Sequence, residues 1–223
     1  MNAMVLAVVM TGRALYMMHC ASCHGDVGQG SNVAPSLVGY SAADIHLMLD
    51  TGRMPASVPY VDEIHQEPVF TEPQMTAIVD YVLSFTQANR ALPLVLPGNV
   101  EHGRALFMGN CAACHGPTGS GASVGSNDVA PSLANATIFQ VAEAIRAGPG
   151  IMPVFGRDVL SDQDVDDIAH YVNAMQTQSN GAADANVGGA TLGHMGPVAE
   201  GFIAWFFGIG ALVLFVRSIG TTR

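Results

Sequence analysis

Every cysteine of this chain falls in one of two Cys-x-x-Cys-His sequences, Cys20-Ala-Ser-Cys-His24 and Cys111-Ala-Ala-Cys-His115. Two thiols at this spacing can add across the vinyl groups of a porphyrin, and the histidine that follows then lies under the iron as its proximal ligand. A redox dithiol needs no histidine after the pair, and zinc sites usually set their histidines several residues away from the cysteines. Neither explains a complete motif that occurs twice with no cysteine left over. The sequence therefore predicts two covalently bound c-type haems, attached at Cys20, Cys23, Cys111 and Cys114, with His24 and His115 as proximal ligands.

The surroundings of the motifs repeat as well. Gly12-Arg-Ala-Leu-Tyr-Met17 before the first matches Gly103-Arg-Ala-Leu-Phe-Met108 before the second at an offset of 91, and Ala34-Pro-Ser-Leu37 matches Ala130-Pro-Ser-Leu133 at an offset of 96. Ile78 with Tyr81-Val82 then corresponds to Ile168 with Tyr171-Val172. Such self-similarity is the mark of duplicated domains. It sets a first domain at 1–90, a linker at 91–98 and a second domain at 99–176. Each is near the lower size limit for a self-sufficient core, which a buried haem would help to fill.

Each copy reads as short helices tied by Gly- and Pro-rich loops, with strand patterns nearly absent. Thr71-Glu-Pro-Gln74 is a capping-box start, with a proline tolerated in the first turn, and Ser161-Asp-Gln-Asp164 opens the equivalent helix. The formal net charge of -10 excludes nucleic acid as a partner and suits steering toward a basic docking face.

The second axial ligand is read from a second shared feature. Met54 in Gly52-Arg-Met-Pro55 and Met152 in Gly150-Ile-Met-Pro153 each precede a proline at corresponding places. A thioether ligand stabilises ferrous iron and fills the last coordination position, which suits electron relay and leaves no place for substrate. Met48 and Met75 read as core filler, Met17, Met18 and Met108 lie on the helices that carry the motifs, and Met175 belongs to the last helix of its domain. His46, His65, His102 and His170 are the rival ligands, but none has a counterpart in the other copy, and His19 points away from either axial role. Around 58–65 the first copy carries extra residues, which read equally well as a partner-binding loop or as a neutral surface insertion.

Residues 201–216 are an unbroken apolar run with Trp205 near its start, and with its flanks it predicts a transmembrane helix over 197–219. Its Phe, Ile, Leu and Val side chains contribute about -3 to -6 kcal/mol toward insertion. A Gly-, Ala-, Asn- and Ser-rich linker over 177–196 precedes it. Arg217 and Arg223 place the C-terminus in the cytoplasm and both haems on the outer face, the side on which c-type haem is attached. Residues 4–10 are apolar, yet they are short and lack a preceding Lys or Arg, so a leader or a longer gene upstream is expected.

Taken together, two class I cytochrome c domains, a Gly-rich linker and Gly196-Pro-Val-Ala-Glu-Gly-Phe-Ile-Ala-Trp205 opening a C-terminal span resemble the dihaem cytochrome c subunit of actinobacterial cytochrome bcc (bc1-type) menaquinol:cytochrome c reductase complexes. The resemblance covers nearly the whole chain, although the family has a further hydrophobic segment at its N-terminus. It implies an all-α fold of two tandem class I cytochrome c domains followed by a transmembrane helix. It further implies a membrane complex with a cytochrome b and a Rieske iron-sulfur subunit, in which this chain passes electrons toward the copper centre of an aa3-type oxidase. In that setting the chain is the electron-transfer subunit of an oxidoreductase, with no substrate chemistry of its own. The resemblance also implies that the Pro35 and Pro131 carbonyls accept from the haem histidines; a rigid turn is the alternative. Two other functions stay open: a dihaem subunit serving a periplasmic dehydrogenase or a cbb3-type oxidase, and a dihaem peroxidase or sensor, which would need an open iron position.

Overall fold

The computed structural model describes residues 10–56, 66–85, 88, 90–125, 128–179 and 196–220. The chain divides into two compact units, Met1–Phe107 with Ala136–Tyr171 and Met108–Asn135 with Val172–Arg223.

In the first unit, side-chain caps set where the helices begin. Thr11 accepts from the Ala14 N–H at 3.3 Å and starts α1 (Gly12–His19), which leads through Cys20 into the single turn α2 (Ala21–His24). Ser41 and Asp44 form a reciprocal capping box on α3 (Ala42–Asp50). The Thr71 N–H donates to Gln74 Oε1 at 2.9 Å at the start of α4 (Glu72–Val82), so the expected box is present with Pro73 in the first turn. These reciprocal bonds satisfy backbone donors that a helix start leaves open. After α5 (Val100–Asn110) comes α7 (Ile138–Ala147), capped by Thr137 with Gln140; Ser161 and Asp164 then cap α8 (Asp162–Ser179), as the sequence predicts. α5 and α8 run on into the second unit.

Leu15, Tyr16, Ile45, Leu49, Phe70, Met75, Ile78, Val79 and Val82 form the core beneath α1, α3 and α4, with Cys20 and Met54 packed against it. Gly12 lets α1 and α4 cross with their backbones in contact, since a Cβ there would lie 1.9 Å from the Ala77 carbonyl oxygen. Gly103 meets the Asp167 carbonyl in the same way, again at 1.9 Å. The glycine that opens both repeated segments is therefore a packing requirement. α3 also packs on α7, where Gln140 Nε2 donates to Asp50 Oδ2 at 2.8 Å.

In the second unit, α6 (Ala112–His115) carries the second motif and is followed by β1 (Ala122–Gly125) and β2 (Asp128–Ala130), an antiparallel pair. The hairpin lies between Gly121 and Ala130, where the second copy holds its five extra residues, so the insertion supplies strand structure that the sequence pattern does not signal. Gln176 Nε2 on α8 donates to the Leu133 carbonyl at 2.6 Å.

α9 (Gly196–Ile219) closes the chain, and its described side chains, including Trp205, Phe207, Leu212, Leu214 and Phe215, are exposed. The transmembrane helix expected over 197–219 is not borne out: among the described residues no helix is long and apolar enough to cross a membrane. The orientation derived from that span, with a cytoplasmic C-terminus and outward haems, loses its basis with it. Most of the 177–196 linker, the loop at 58–65 with His65, and nearly all of the 4–10 segment lie outside the described residues.

Candidate haem sites

Each motif is folded onto one helical turn. Cys20 N donates to the Tyr16 carbonyl at 2.8 Å and His24 N to the Cys20 carbonyl at 2.9 Å, so both thiols and the imidazole emerge from a single turn. In the second motif Cys114 N and His115 N both reach the Cys111 carbonyl, at 3.1 Å and 2.9 Å. None of the four cysteines is in a disulfide. Burial, and then the neighbouring cysteine, push Cys20 and Cys111 up to about 11 each, so both are protonated at neutral pH.

The loop after each motif is hydrogen-bonded to the same plan. Gly30 N reaches the His24 carbonyl at 2.8 Å and Leu37 N the Gly28 carbonyl at 2.7 Å; Gly121 N reaches the His115 carbonyl and Leu133 N the Gly119 carbonyl, each at 2.8 Å. This scaffold brings a proline carbonyl back onto the histidine. His24 Nδ1 lies 2.8 Å from Pro35 O, and His115 Nδ1 lies 3.0 Å from Pro131 O. A carbonyl only accepts, so Nδ1 carries the proton in both rings and Nε2 keeps its lone pair for a metal. The carbonyl role of these prolines, which the sequence leaves open against a rigid turn, is present in both loops. His24 is buried, 8% exposed, whereas His115 is half-buried.

Met54 and Met152 are both half-buried, and each follows by two residues a left-handed glycine, Gly52 at φ 63° and Gly150 at φ 61°. Met54 N donates to the Met48 carbonyl at 2.9 Å, and Met152 N to the Pro149 carbonyl at 3.1 Å. Met54 shares a core with Cys20, while Met152 belongs to the first unit and His115 to the second.

The described rival histidines are engaged elsewhere. His46 Nε2 lies 3.1 Å from Glu72 Oε1 and its Nδ1 2.8 Å from Glu143 Oε1. His102 Nδ1 donates to Asp167 Oδ2 at 2.7 Å, and His170 Nδ1 to the Asp166 carbonyl at 2.8 Å. The His19 ring packs edge-on against Phe70 at 5.2 Å. Among the described residues no three His, Cys, Asp or Glu side chains converge on a possible metal ion. Sequence reading passes over two features, the Glu143 partner of His46 and the hydroxyl of Tyr16 on the Gly25 carbonyl. Only the second leaves a trace in the repeat, as a Tyr16 and Phe107 mismatch.

Paired thiols on one turn, beside an imidazole with a free Nε2 and a carbonyl-bound Nδ1, fit covalently attached haem. The family model for "Cytochrome C oxidase, cbb3-type, subunit III" matches the chain over residues 7–82 and again over 98–172. The cytochrome bc1 complex cytochrome c subunit of Mycobacterium tuberculosis (strain ATCC 25618 / H37Rv) is 36% identical over 229 residues, spanning 96% of this chain and 78% of the relative. The chain belongs to the family of cytochrome c subunits of cytochrome bc1 complexes. Its Corynebacterium diphtheriae counterpart is 32% identical, over 96% of this chain and 81% of its own length. Membership in this family makes the chain an electron-transfer subunit with covalently bound c-type haem. The solved Kuenenia stuttgartiensis reducing HAO-like protein complex Kustc0457/Kustc0458 covers 74% of this chain and 94% of its own at 19% identity and a TM-score of 0.41, too distant to add to the argument.

Proposed function

We propose that the chain is the dihaem relay of a bc1-type respiratory complex, taking electrons from its Rieske and cytochrome b subunits and delivering them toward an aa3-type terminal oxidase. A bound c-type haem supplies a one-electron carrier at each motif. In this reading Cys20, Cys23, Cys111 and Cys114 hold the haems in repeats spanning 1–90 and 99–176. His24 and His115 provide one axial ligand each, and Met54 and Met152 the other. The membrane association of the chain is that of the complex to which its relatives belong.

The observation that carries the reading is that both imidazoles are backed by a proline carbonyl. Each Nδ1 proton is committed to a proline carbonyl, at 2.8 Å and 3.0 Å, which fixes the tautomer and strengthens Nε2 as a donor. The methionine assignment is supported by the matched left-handed glycines before Met54 and Met152 and by the other partners of the described rival histidines. With both axial positions filled by protein, neither site keeps a position for peroxide or a gas.

Met54→Leu and Met152→Leu are each expected to abolish the far-red methionine-to-ferric charge-transfer band of one haem and to lower its potential; unchanged spectra would refute the ligand assignment. Mild detergent extraction of native membranes is expected to bring down a cytochrome b and a Rieske protein with the chain. The family model's description, and 30% identity to the Azospirillum sp. (strain B510) subunit CcoP of cbb3-type oxidase over 73% of this chain and 60% of that subunit, favour a second reading as a cbb3-type oxidase subunit. Recovery of oxidase subunits without cytochrome b would select it.

A further inference from the structure

The turn that follows the haem histidine is held in the first repeat by a side chain that the second repeat lacks. Tyr16 on α1 is fully buried, and its hydroxyl donates to the Gly25 carbonyl at 2.6 Å. Its ring is fixed on two sides, by Tyr81 at 5.4 Å and edge-on by Phe85 at 5.5 Å, so the hydroxyl is aimed rather than free to swing. Burial pushes the Tyr16 phenol up to about 12, which keeps it a neutral donor.

Gly25 directly follows His24 and takes a left-handed φ of 81° to start the loop. Its carbonyl also receives the Gly28 N–H at 3.2 Å, and the Gly28 carbonyl in turn receives Ser36 Oγ at 3.0 Å and Leu37 N at 2.7 Å. Pro35, whose carbonyl takes the His24 Nδ1 proton, is held by these bonds. A chain of hydrogen bonds thus runs from the Tyr16 hydroxyl through the 25–28 turn to the carbonyl behind the proximal histidine.

The repeat supplies its own comparison. At the 91-residue offset Tyr16 becomes Phe107, which packs on Tyr171 at 5.4 Å and carries no hydroxyl. The Gly116 turn keeps its φ of 77° and its bond from Gly119 N at 3.1 Å. Its lower bonds are longer: Ser132 Oγ to the Gly119 carbonyl is 3.4 Å, and His115 Nδ1 to Pro131 O is 3.0 Å.

We propose that Tyr16 is a positioning residue that sets the two haem sites apart, holding His24 against the Pro35 carbonyl so that the first haem has the more electron-rich proximal ligand. This rests on the reading of His24 as that ligand. A firmer bond from Nδ1–H gives the imidazole more anionic character, which stabilises ferric iron and lowers the potential of the first site.

The test is Tyr16→Phe in the full, haem-loaded chain, a change whose product already stands at the equivalent place in the second repeat. Spectroelectrochemical titration is expected to show the first haem's potential rising while the second holds. The haems are assigned by which one responds in Met54→Leu. The electron-sharing ratio between them moves toward the first by about 2- to 10-fold, the range for one lost hydrogen bond. Phe107→Tyr is expected to lower the second potential. A first potential that is unchanged or falls in Tyr16→Phe, or two potentials that move together, overturns the proposal. If the wild-type electron paramagnetic resonance spectrum lacks a His–Met signature, the ligand reading itself fails; if the signature is intact and the potentials stay put, only the role of Tyr16 fails.

Discussion

His46 offers the sharpest test of how the packed helices of the first unit are held together. It lies on α3, 5% exposed, with Nδ1 2.8 Å from Glu143 Oε1 on α7 and Nε2 3.1 Å from Glu72 Oε1 on α4; Glu143 is itself 3% exposed. Asp50, which accepts from Gln140 on α7, adds a further negative charge to this region. Glu143, and then Glu72, outweigh burial and push His46 from 6.5 up to about 9. Burial pushes Glu143 above the usual carboxylate range, with His46 pulling it back. Both folded values stand above the unfolded ones, so both groups stabilise the fold at low pH and lose that contribution as pH rises. For His46 the contribution is complete below about 6.5 and is lost through about 9. At about 1.4 kcal/mol per pH unit the ceiling is about 3 kcal/mol, and the burial of Glu143 reduces it. A double-mutant cycle of His46→Gln and Glu143→Gln isolates the pair from every group the proteins share. Thermal melts at pH 6 and pH 10 are expected to show a coupling that weakens at the higher pH, by at most about 6 to 12 °C for a chain of this length. A coupling that is constant or grows between those values would show that His46 is neutral in the fold.

Further substitutions test the fold directly. Gly12→Ala forces a methyl group against the Ala77 carbonyl and is expected to cost about 1 to 3 kcal/mol in thermal unfolding, whereas Gly109→Ala, with no neighbour near its Cβ, is not expected to destabilise. Asp167→Ala removes the buried carboxylate that accepts from Asn99 N, Gln163 Nε2 and His102 Nδ1; about 3 kcal/mol is expected to be lost. Burial raises Asp167, but His102, Asn99 and Gln163 outweigh it and hold it low. Its contribution is therefore present above about 3.9 and lost as pH falls through the depressed value, so the penalty of Asp167→Ala is expected to shrink in acid melts.

The parts of this molecule that are legible from sequence are those whose partners lie close in the chain or repeat within it. Thr71 finds Gln74 three residues on, and His24 finds Pro35 eleven residues on. The His46 and Glu143 pair stands 97 residues apart and joins α3 of one repeat to α7 of the next, so no local pattern announces it. His46 read alone is one more rival ligand; only the packed helices show why a titratable ring is buried there. The β1 and β2 hairpin is missed for a different reason, since Ala122-Ser-Val-Gly125 is too short to display an alternation. Residues 201–216 read as a span because hydropathy ranks apolarity along a sequence, whereas among the described residues no helix is long and apolar enough to cross a membrane.

In a duplicated relay of like ligand chemistry, a difference in potential between the sites biases the electron toward the more positive one. The shared plan of bonds from Gly30 and Gly121 back to the haem histidines supplies the likeness. Any such difference would come from residues that the repeat does not share and that still touch this plan. Few do. The 122–130 hairpin enters the second loop just ahead of Pro131, and Tyr16 acts on the first loop at Gly25, the residue next to His24. The hairpin lengthens a loop at its outer end, where its strands are mostly exposed. Tyr16 acts from inside the core at the residue next to His24, so under the proposed ligand set a single oxygen atom there would have more leverage on the first haem than five added residues at the surface.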